Sequence, residues 1–269
     1  MTADTQQRSG VDPFASIVCG IDGSDESIEA ARQAGRLATP GAELTLVGIV
    51  NDDAAVAIGW PAVPIAGATK VSREAIEAGI ERARRELPGH LVVRHATVTG
   101  PPAPFSVVEA RAREATLIAV GSHGHGRMAG IMLGSVATSL LHNAPCPVLL
   151  TRAAGDDFPR SIVVGIDGSH QSQLAAAVGA ELARRTGASL EGLVAMGGAE
   201  VDFANVRSVA DENGGFPVED DERDPVDALS AVDADLLVLG SRGLRGVRAL
   251  GSVSERAAHG AKCSVLVVR

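Results

Sequence analysis

The chain writes one sequence twice. Residues 17–24 read IVCGIDGS and residues 162–169 read IVVGIDGS. Later landmarks return in the same order: GSHG at 121–124 as GSRG at 240–243, GSV at 134–136 again at 251–253, and APCPVLLTR at 144–152 as AKCSVLVVR at 261–269. Self-similarity over a whole chain means two copies of one folding unit. The total of 269 residues is about twice a typical domain of roughly 100 to 150 residues, so each copy is large enough to bury its own core. The spacing between copies is uneven. Ile17 and Ile162 are 145 residues apart, Gly121 and Gly240 are 119 apart, and Gly134 and Gly251 are 117 apart. The second copy is therefore 26 residues shorter in its middle and 2 shorter in its glycine-rich loop.

Only 2% of residues are aromatic, so the core must be built from Val, Leu, Ile and Ala, which suits a β-branched parallel sheet under Ala-rich helices rather than an all-β sandwich. A net charge of -9 and a pI near 5.3 argue against nucleic acid or an anionic membrane surface as the main partner, while leaving room for a local anion site. Residues 1–15 are polar, with no basic stretch leading into an apolar one, and read as a disordered tail rather than a signal peptide. No apolar run approaches the roughly 18 residues of a membrane span. Cys19, Cys146 and Cys263 form no framework spacing and imply buried thiols in a reducing cytoplasm.

Periodicity gives the order of elements. In the first copy, strands are expected at 16–21, 44–50, 91–98, 117–120 and 148–151, with helices at 26–38, 72–86, 105–115 and 135–143. A Gly/Pro/Ala-rich loop spans 51–69. Alternating strands and helices predict right-handed βαβ units and a doubly wound sheet, whose ligands bind outside the carboxyl ends of strands. Asp22 and Gly121 both stand at such ends. In the second copy the strands at 162–166, 189–196 and 235–239 and the helices at 173–185 and 225–232 are recognisable. No counterpart of the helix at 72–86 is evident between Gly197 and Gly215, and the acidic stretch 211–224 reads as a solvated loop without the alternating acids and trailing Glu of a calcium loop.

The segment 121–136, GSHGHGRMAGIMLGSV, has the chemistry of an anion site. Gly121 and Gly124 let the chain turn sharply after a strand, and Gly134-Ser135 opens a helix whose first amides are unpaired at its positive end. Ser135 either caps its own helix or donates its hydroxyl to a phosphate oxygen. A Walker A loop is excluded, because the only lysines are Lys70 and Lys262 and neither sits in a glycine loop. The GxGxxA string at Gly124, Gly126 and Ala129 does not directly follow a strand and is not a dinucleotide fingerprint.

The pattern G-x2-G-x9-G-[ST] after a strand, carried by Gly121, Gly124, Gly134 and Ser135 together with Asp22 after the first strand and a closing PCPVLL, resembles the universal stress protein family over nearly the whole chain. The resemblance implies an α/β fold of two tandem Rossmann-like domains, at 16–153 and 160–269, each a doubly wound five-stranded parallel sheet, the second shortened. In one branch of that family it implies ATP, with Mg²⁺. Carried over, Asp22 meets the ribose or metal-phosphate region and is the one metal contact, Ile49 offers backbone to adenine, and Gly121, Gly124, Gly134, Ser135 and Val136 hold the phosphates. With no lysine near, Mg²⁺ or Arg127 balances the charge. The same resemblance implies pairing of the two copies through their fifth strands, and a homodimer of whole chains.

The second copy departs from the pattern. Seven residues separate Gly243 from Gly251 where the first copy has nine, a loss of up to about 7 Å of reach. Asp167, Gly240, Gly243, Gly251 and Ser252 are expected to form a weaker site or none. His123 and His125 read as exposed loop histidines, with no metal assigned to them. Trp60 is a lid or a packed surface residue. Three functional classes follow: an ATP-binding cytoplasmic stress regulator, a slow ATP hydrolase or nucleotidyl transferase using Asp22 and Mg²⁺, and a nucleotide-free scaffold. The site lacks a placed general base or nucleophile, which favours binding over catalysis. Valine at Gly121 or Gly134 is expected to abolish ATP binding and leave the fold largely intact.

Overall fold

Each apolar run expected as a strand is one in the computed structural model, which describes residues 12–51, 73–100, 112, 114–123, 133–197, 202–241 and 253–269. The first copy folds as β1 (Ser16–Ile21), α1 (Asp25–Leu37), β2 (Glu43–Asn51), α2 (Arg73–Glu86), β3 (Val92–Gly100), β4 (Leu117–Gly121), α3 (Ser135–Asn143) and β5 (Val148–Thr151). The second follows as β6 (Ser161–Gly165), α4 (His170–Thr186), β7 (Ser189–Ala195), α5 (Phe203–Glu212), β8 (Val218–Asp221), α6 (Pro225–Ser230), β9 (Leu236–Gly240), α7 (Val253–Gly260) and β10 (Ser264–Val268). The expected tail and most of the expected helix at 105–115 lie outside the described residues.

Two expectations for the second copy are corrected. A counterpart of α2 does exist: α5 starts at Asp202, whose carboxylate accepts from the Ala204 and Asn205 amides, and it buries Val206, Val209 and Ala210. The acidic stretch is not all loop, because Val218–Asp221 pairs in parallel with β7 as the edge strand β8.

The two five-stranded parallel halves are one sheet, in the order β3-β2-β1-β4-β5-β10-β9-β6-β7-β8. Every neighbouring pair is parallel except β5 and β10, which run antiparallel with Leu149 opposite Leu266. Those leucines occupy the same place in the two copies, so an approximate twofold axis passes between them. The expected fifth-strand pairing is thus built into the chain. Both strands are wholly buried, as a sheet covered on two faces requires. Helices α1, α2, α4 and α5 close one face over Leu149 and Leu266, while α3, α6 and α7 close the other over Val148, Leu150, Val265 and Val267. Each such buried aliphatic side chain contributes about 1.5–3 kcal/mol.

Polar contacts repeat the twofold relation. Arg152, just past β5, donates to the Ala258 and Cys263 carbonyls at 2.7 and 2.9 Å, and Arg269, just past β10, donates to the Leu141 carbonyl at 2.6 Å. Each copy thereby caps the last helix of the other. Gln33 on α1, fully buried, donates to the Arg152 carbonyl and accepts from Ser264 Oγ, both at 2.7 Å. On the opposite face His142 Nε2 lies 2.9 Å from Glu255 Oε1. His259, the counterpart of His142, is held below the ordinary imidazole range, first by burial and then by Arg152 and His142, with Glu255 opposing.

A histidine whose folded pKa is depressed resists protonation, so folding loses stability as pH falls below its ordinary value of about 6.5. H259Q is expected to lose less stability than the parent chain between about pH 7.5 and 5.5. Urea midpoints of the two proteins at both pH values check this, and equal losses would contradict it.

Candidate functional site

In each half the strand order reverses next to the first strand, between β1 and β4 and between β6 and β9, which is where doubly wound sheets bind ligands. The turn after β1, the end of β4 and the start of α3 converge on the first of these crevices.

At the first turn, Gly23 has φ 89°, a left-handed conformation that favours glycine. Asp22 Oδ1 accepts from the Ser24 amide at 2.9 Å and from Ser24 Oγ at 2.5 Å. Ser24 in turn caps α1 by accepting from the Ser27 amide at 3.2 Å, and Asp25 and Glu26 fill the first turn. The start of α1 thus has its Ser27 amide capped by Ser24 and carries negative charge. In α2, a Cβ at Gly79 would stand 2.8 Å from Gly23 Cα, so that helix rests directly on the turn. The second copy repeats the turn, with the Ser169 amide donating to Asp167 Oδ1 at 3.0 Å, but there Asn205 of α5 reaches over it and donates to the Gly168 carbonyl at 3.0 Å.

The start of α3 is built differently. Its N-cap is Gly134, which supplies no side-chain cap, and no acid lies in the first turn. Ser135 is the first helical residue, so of the two roles open to it the structure removes capping. The amides of Ser135, Val136 and Ala137 precede the first helical bond, Thr138 N to Gly134 O at 2.9 Å. Gly134 N donates to the Ser122 carbonyl at 2.8 Å, which ties the helix start to the end of β4. A helix start with no side-chain cap and no acid in its first turn is the kind of place where an anion is stabilised.

Asp22, Gly121, Gly134, Ser135 and Val136 are therefore brought to one crevice, and Ile49 lies one residue beyond the last β1–β2 pair, Ile21 with Gly48. Gly124, His125, Arg127 and Trp60 lie outside the described residues. In the second copy Asp167 and Gly240 take matching places, while Gly243, Gly251 and Ser252 lie outside the described residues. Among the described residues there is no group of three or more His, Cys, Asp or Glu able to hold a metal ion. A magnesium ion needs only one or two carboxylates beside phosphate oxygens, so Asp22 alone fits a metal–nucleotide complex.

Two sequence expectations need correction here. Gly121 serves the packing of the fold: a Cβ there would stand 3.0 Å from Glu26 Cβ and 3.1 Å from its carbonyl carbon, so valine would press on α1. Gly134 has φ -62°, and a Cβ there meets nothing closer than 3.6 Å, so alanine fits. His123 is not an exposed loop residue either: it is partly buried, and its Nδ1 lies 3.0 Å from Ser122 Oγ. A feature missed in the sequence is Glu255, which places a carboxylate in the first turn of α7, where the first copy has Thr138 in α3. The constant spacing of 117 residues carried that signal. The three cysteines are buried thiols outside any disulfide, and burial pushes those of Cys19 and Cys263 up, which leaves them unreactive.

Fold and crevice together define a tandem α/β protein of the Rossmann-like class with an open helix start at its first switch point. The model of the universal stress protein family matches residues 13–152 and 217–269. The universal stress protein Rv2005c of Mycobacterium tuberculosis is 33% identical, over 94% of this chain and 96% of its own length, and Rv2623 of the same organism is 31% identical over the same shares. The crystal structure of a universal stress protein from Archaeoglobus fulgidus superposes with a TM-score of 0.66 at 17% identity, over 95% of this chain and 98% of that one. The chain belongs to the universal stress protein family. No helix among the described residues is long and apolar enough to cross a membrane.

Proposed function

We propose that the first domain binds ATP together with Mg²⁺ in the crevice between β1 and β4, and that the protein is a nucleotide-binding regulator of the cytoplasmic stress response rather than a catalyst. The observation that carries this is the contrast between two helix starts at one crevice. The start of α1 is closed by Ser24, Asp25 and Glu26, whereas that of α3 offers three amides with neither cap nor acid. Amides of Ser135, Val136 and Ala137 would hold phosphate oxygens, the Asp22 carboxylate would share the metal ion with the phosphates, and the Ile49 backbone would meet the base. Bound Mg²⁺ supplies neutralising charge in a site without lysine.

The second domain is the weaker site. Its glycine loop is two residues shorter, and the Glu255 carboxylate in the first turn of α7 opposes an anion at that helix start. Native mass spectrometry of the purified chain, followed by calorimetric titration with ATP and Mg²⁺, is expected to give about one nucleotide per chain. Asp22→Asn keeps the acceptor for Ser24 and removes the charge, so it is expected to weaken ATP binding about tenfold or more with Mg²⁺ and much less without it. Asp167→Asn is expected to change little. Two equivalent sites, or equal losses from the two substitutions, would overturn this ranking of the domains.

A further inference from the structure

The ten-stranded sheet ends in two edges of opposite character. Strand β8 is four residues long and reads VEDD, a charged edge that discourages a further strand. Strand β3 is nine residues long, reads VVRHATVTG, and contains no proline, lysine or acid. Its one arginine, Arg94, is engaged with Glu43 of β2 at 3.1 Å. Among the described residues β3 pairs with β2 alone. Val92 N donates to the Ala42 carbonyl at 2.9 Å, and backbone groups alternate sides along a strand, so those of Val93, His95, Thr97 and Thr99 point away from β2. A long edge without blocking residues is a template for another strand.

The partner that fits this edge is a second copy of the chain. Two β3 strands set antiparallel about Ala96 place Val93 opposite Thr99, His95 opposite Thr97 and Arg94 opposite Val98. Every outward backbone group is then paired, about eight main-chain hydrogen bonds in all, and no like charges meet. The same twofold axis lays two α2 helices antiparallel on one face of the sheet. A Cβ at Gly48, the neighbour of Thr97, would collide with Ile76 of α2, so the middle of that helix is level with the middle of β3. Arg82 reaches Asp25 of α1, which leaves Glu77 and Arg84 on the flank turned to the sheet edge. Both are exposed, and their contacts along their own helix are long, Glu77 to Arg73 at 3.7 Å and Arg84 to Glu81 at 3.4 Å. Antiparallel helices bring Glu77 of each chain to the partner's Arg84, and these complementary charges favour the twofold register. The chain already uses an antiparallel junction of this kind between β5 and β10.

We propose that two chains join through β3, edge to edge and antiparallel, into a twofold dimer with one continuous sheet. Sedimentation equilibrium of the full chain is expected to show dimers with a Kd of about 10 μM or lower. Thr97→Pro removes an outward N–H and spares the β2 ladder, as proline does on the open side of an edge strand, and is expected to weaken association about tenfold or more. E77R, which sets like charges together, is expected to weaken it by a similar factor, and the swap E77R/R84E to return it to within about threefold of the parent. In the proposed register the two copies of residue 96 form a non-hydrogen-bonded pair with Cα atoms about 4.5 Å apart, within reach of a disulfide. Mild oxidation of A96C is therefore expected to give a covalent dimer on non-reducing electrophoresis. Should Thr97→Pro fail to fold, the charge swap and the cross-link decide alone. A parent chain that stays monomeric at about 100 μM would overturn the proposal. So would undiminished dimers in a folded Thr97→Pro, a swap no tighter than E77R, or A96C that does not cross-link. Oligomers that grow beyond the dimer would also overturn it, since they mark a head-to-tail contact.

Discussion

Arg152→Ala is expected to destabilise the chain by about 3 to 5 kcal/mol, read as a fall in the urea midpoint at unchanged slope. The guanidinium reaches from the end of β5 into the other copy, where one arm donates to the Ala258 carbonyl at the end of α7 and the other to the Cys263 carbonyl at the start of β10. Carbonyls at a helix end have no partner within the helix, so truncation leaves buried acceptors without donors, and that desolvation cost dominates. Burial lowers the pKa of Arg152 below its ordinary value, yet a guanidinium remains charged, so the loss includes charge-assisted bonds. Arg152→Lys is expected to recover less than half of the loss, because an ammonium cannot present two arms to two separated carbonyls. Arg269→Ala tests the reciprocal cap on Leu140 and Leu141, and because the two arginines serve different helices their effects are expected to add. A loss under about 1 kcal/mol for Arg152→Ala would mean that its two carbonyl contacts contribute little to holding the copies together.

The sequence carried the fold wherever local pattern and tertiary role agree. Strands such as Val148–Thr151 are short and wholly apolar because they are buried on both faces, and helix Ser135–Asn143 is bounded by Gly-Ser and by Ala-Pro. Legibility failed in the middle of the second copy. Helix α5 is short, and its apolar residues Phe203, Val206, Val209 and Ala210 were hidden by comparison with the longer, highly charged α2, although Asp202 before them is an ordinary cap. Strand β8 reads VEDD, and nothing in such a segment favours a strand. It pairs on one side only, and its charges suit an outer edge that must not recruit another strand. The crevice was legible as a glycine pattern, but pattern alone did not separate glycines that a ligand requires from those that packing requires. That distinction depends on which helix crosses each strand end, and the contact between Gly121 and α1 joins residues 95 positions apart.

Gly240→Val is expected to damage the second domain, and for a reason unrelated to nucleotide. A Cβ at Gly240 would stand 2.4 Å from the Gln171 carbonyl oxygen and 2.5 Å from its carbon, so a side chain there collides with the backbone of α4 rather than with a movable side chain. Relief requires shifting that helix off the sheet, and overpacking of this kind costs about 3 kcal/mol or more. Gly121 meets Glu26 of α1 less closely, its Cβ at 3.0 Å and its carbonyl carbon at 3.1 Å, so the first glycine of the repeated GSxG is held by packing firmly in the second copy and more mildly in the first. Its presence at Gly240 therefore carries no information about whether the second domain holds a ligand. Gly134→Ala supplies the contrast, since its φ of -62° is open to alanine and its surroundings admit a methyl group. That variant is expected to unfold within about 0.5 kcal/mol of the parent and to bind ATP less tightly, because the methyl group intrudes where phosphate approaches the α3 amides. Denaturation and ATP titration of both variants test the separation. A stable Gly240→Val chain would show that α4 yields easily at this contact, and ATP binding by Gly134→Ala equal to that of the parent would place the phosphates away from the α3 start.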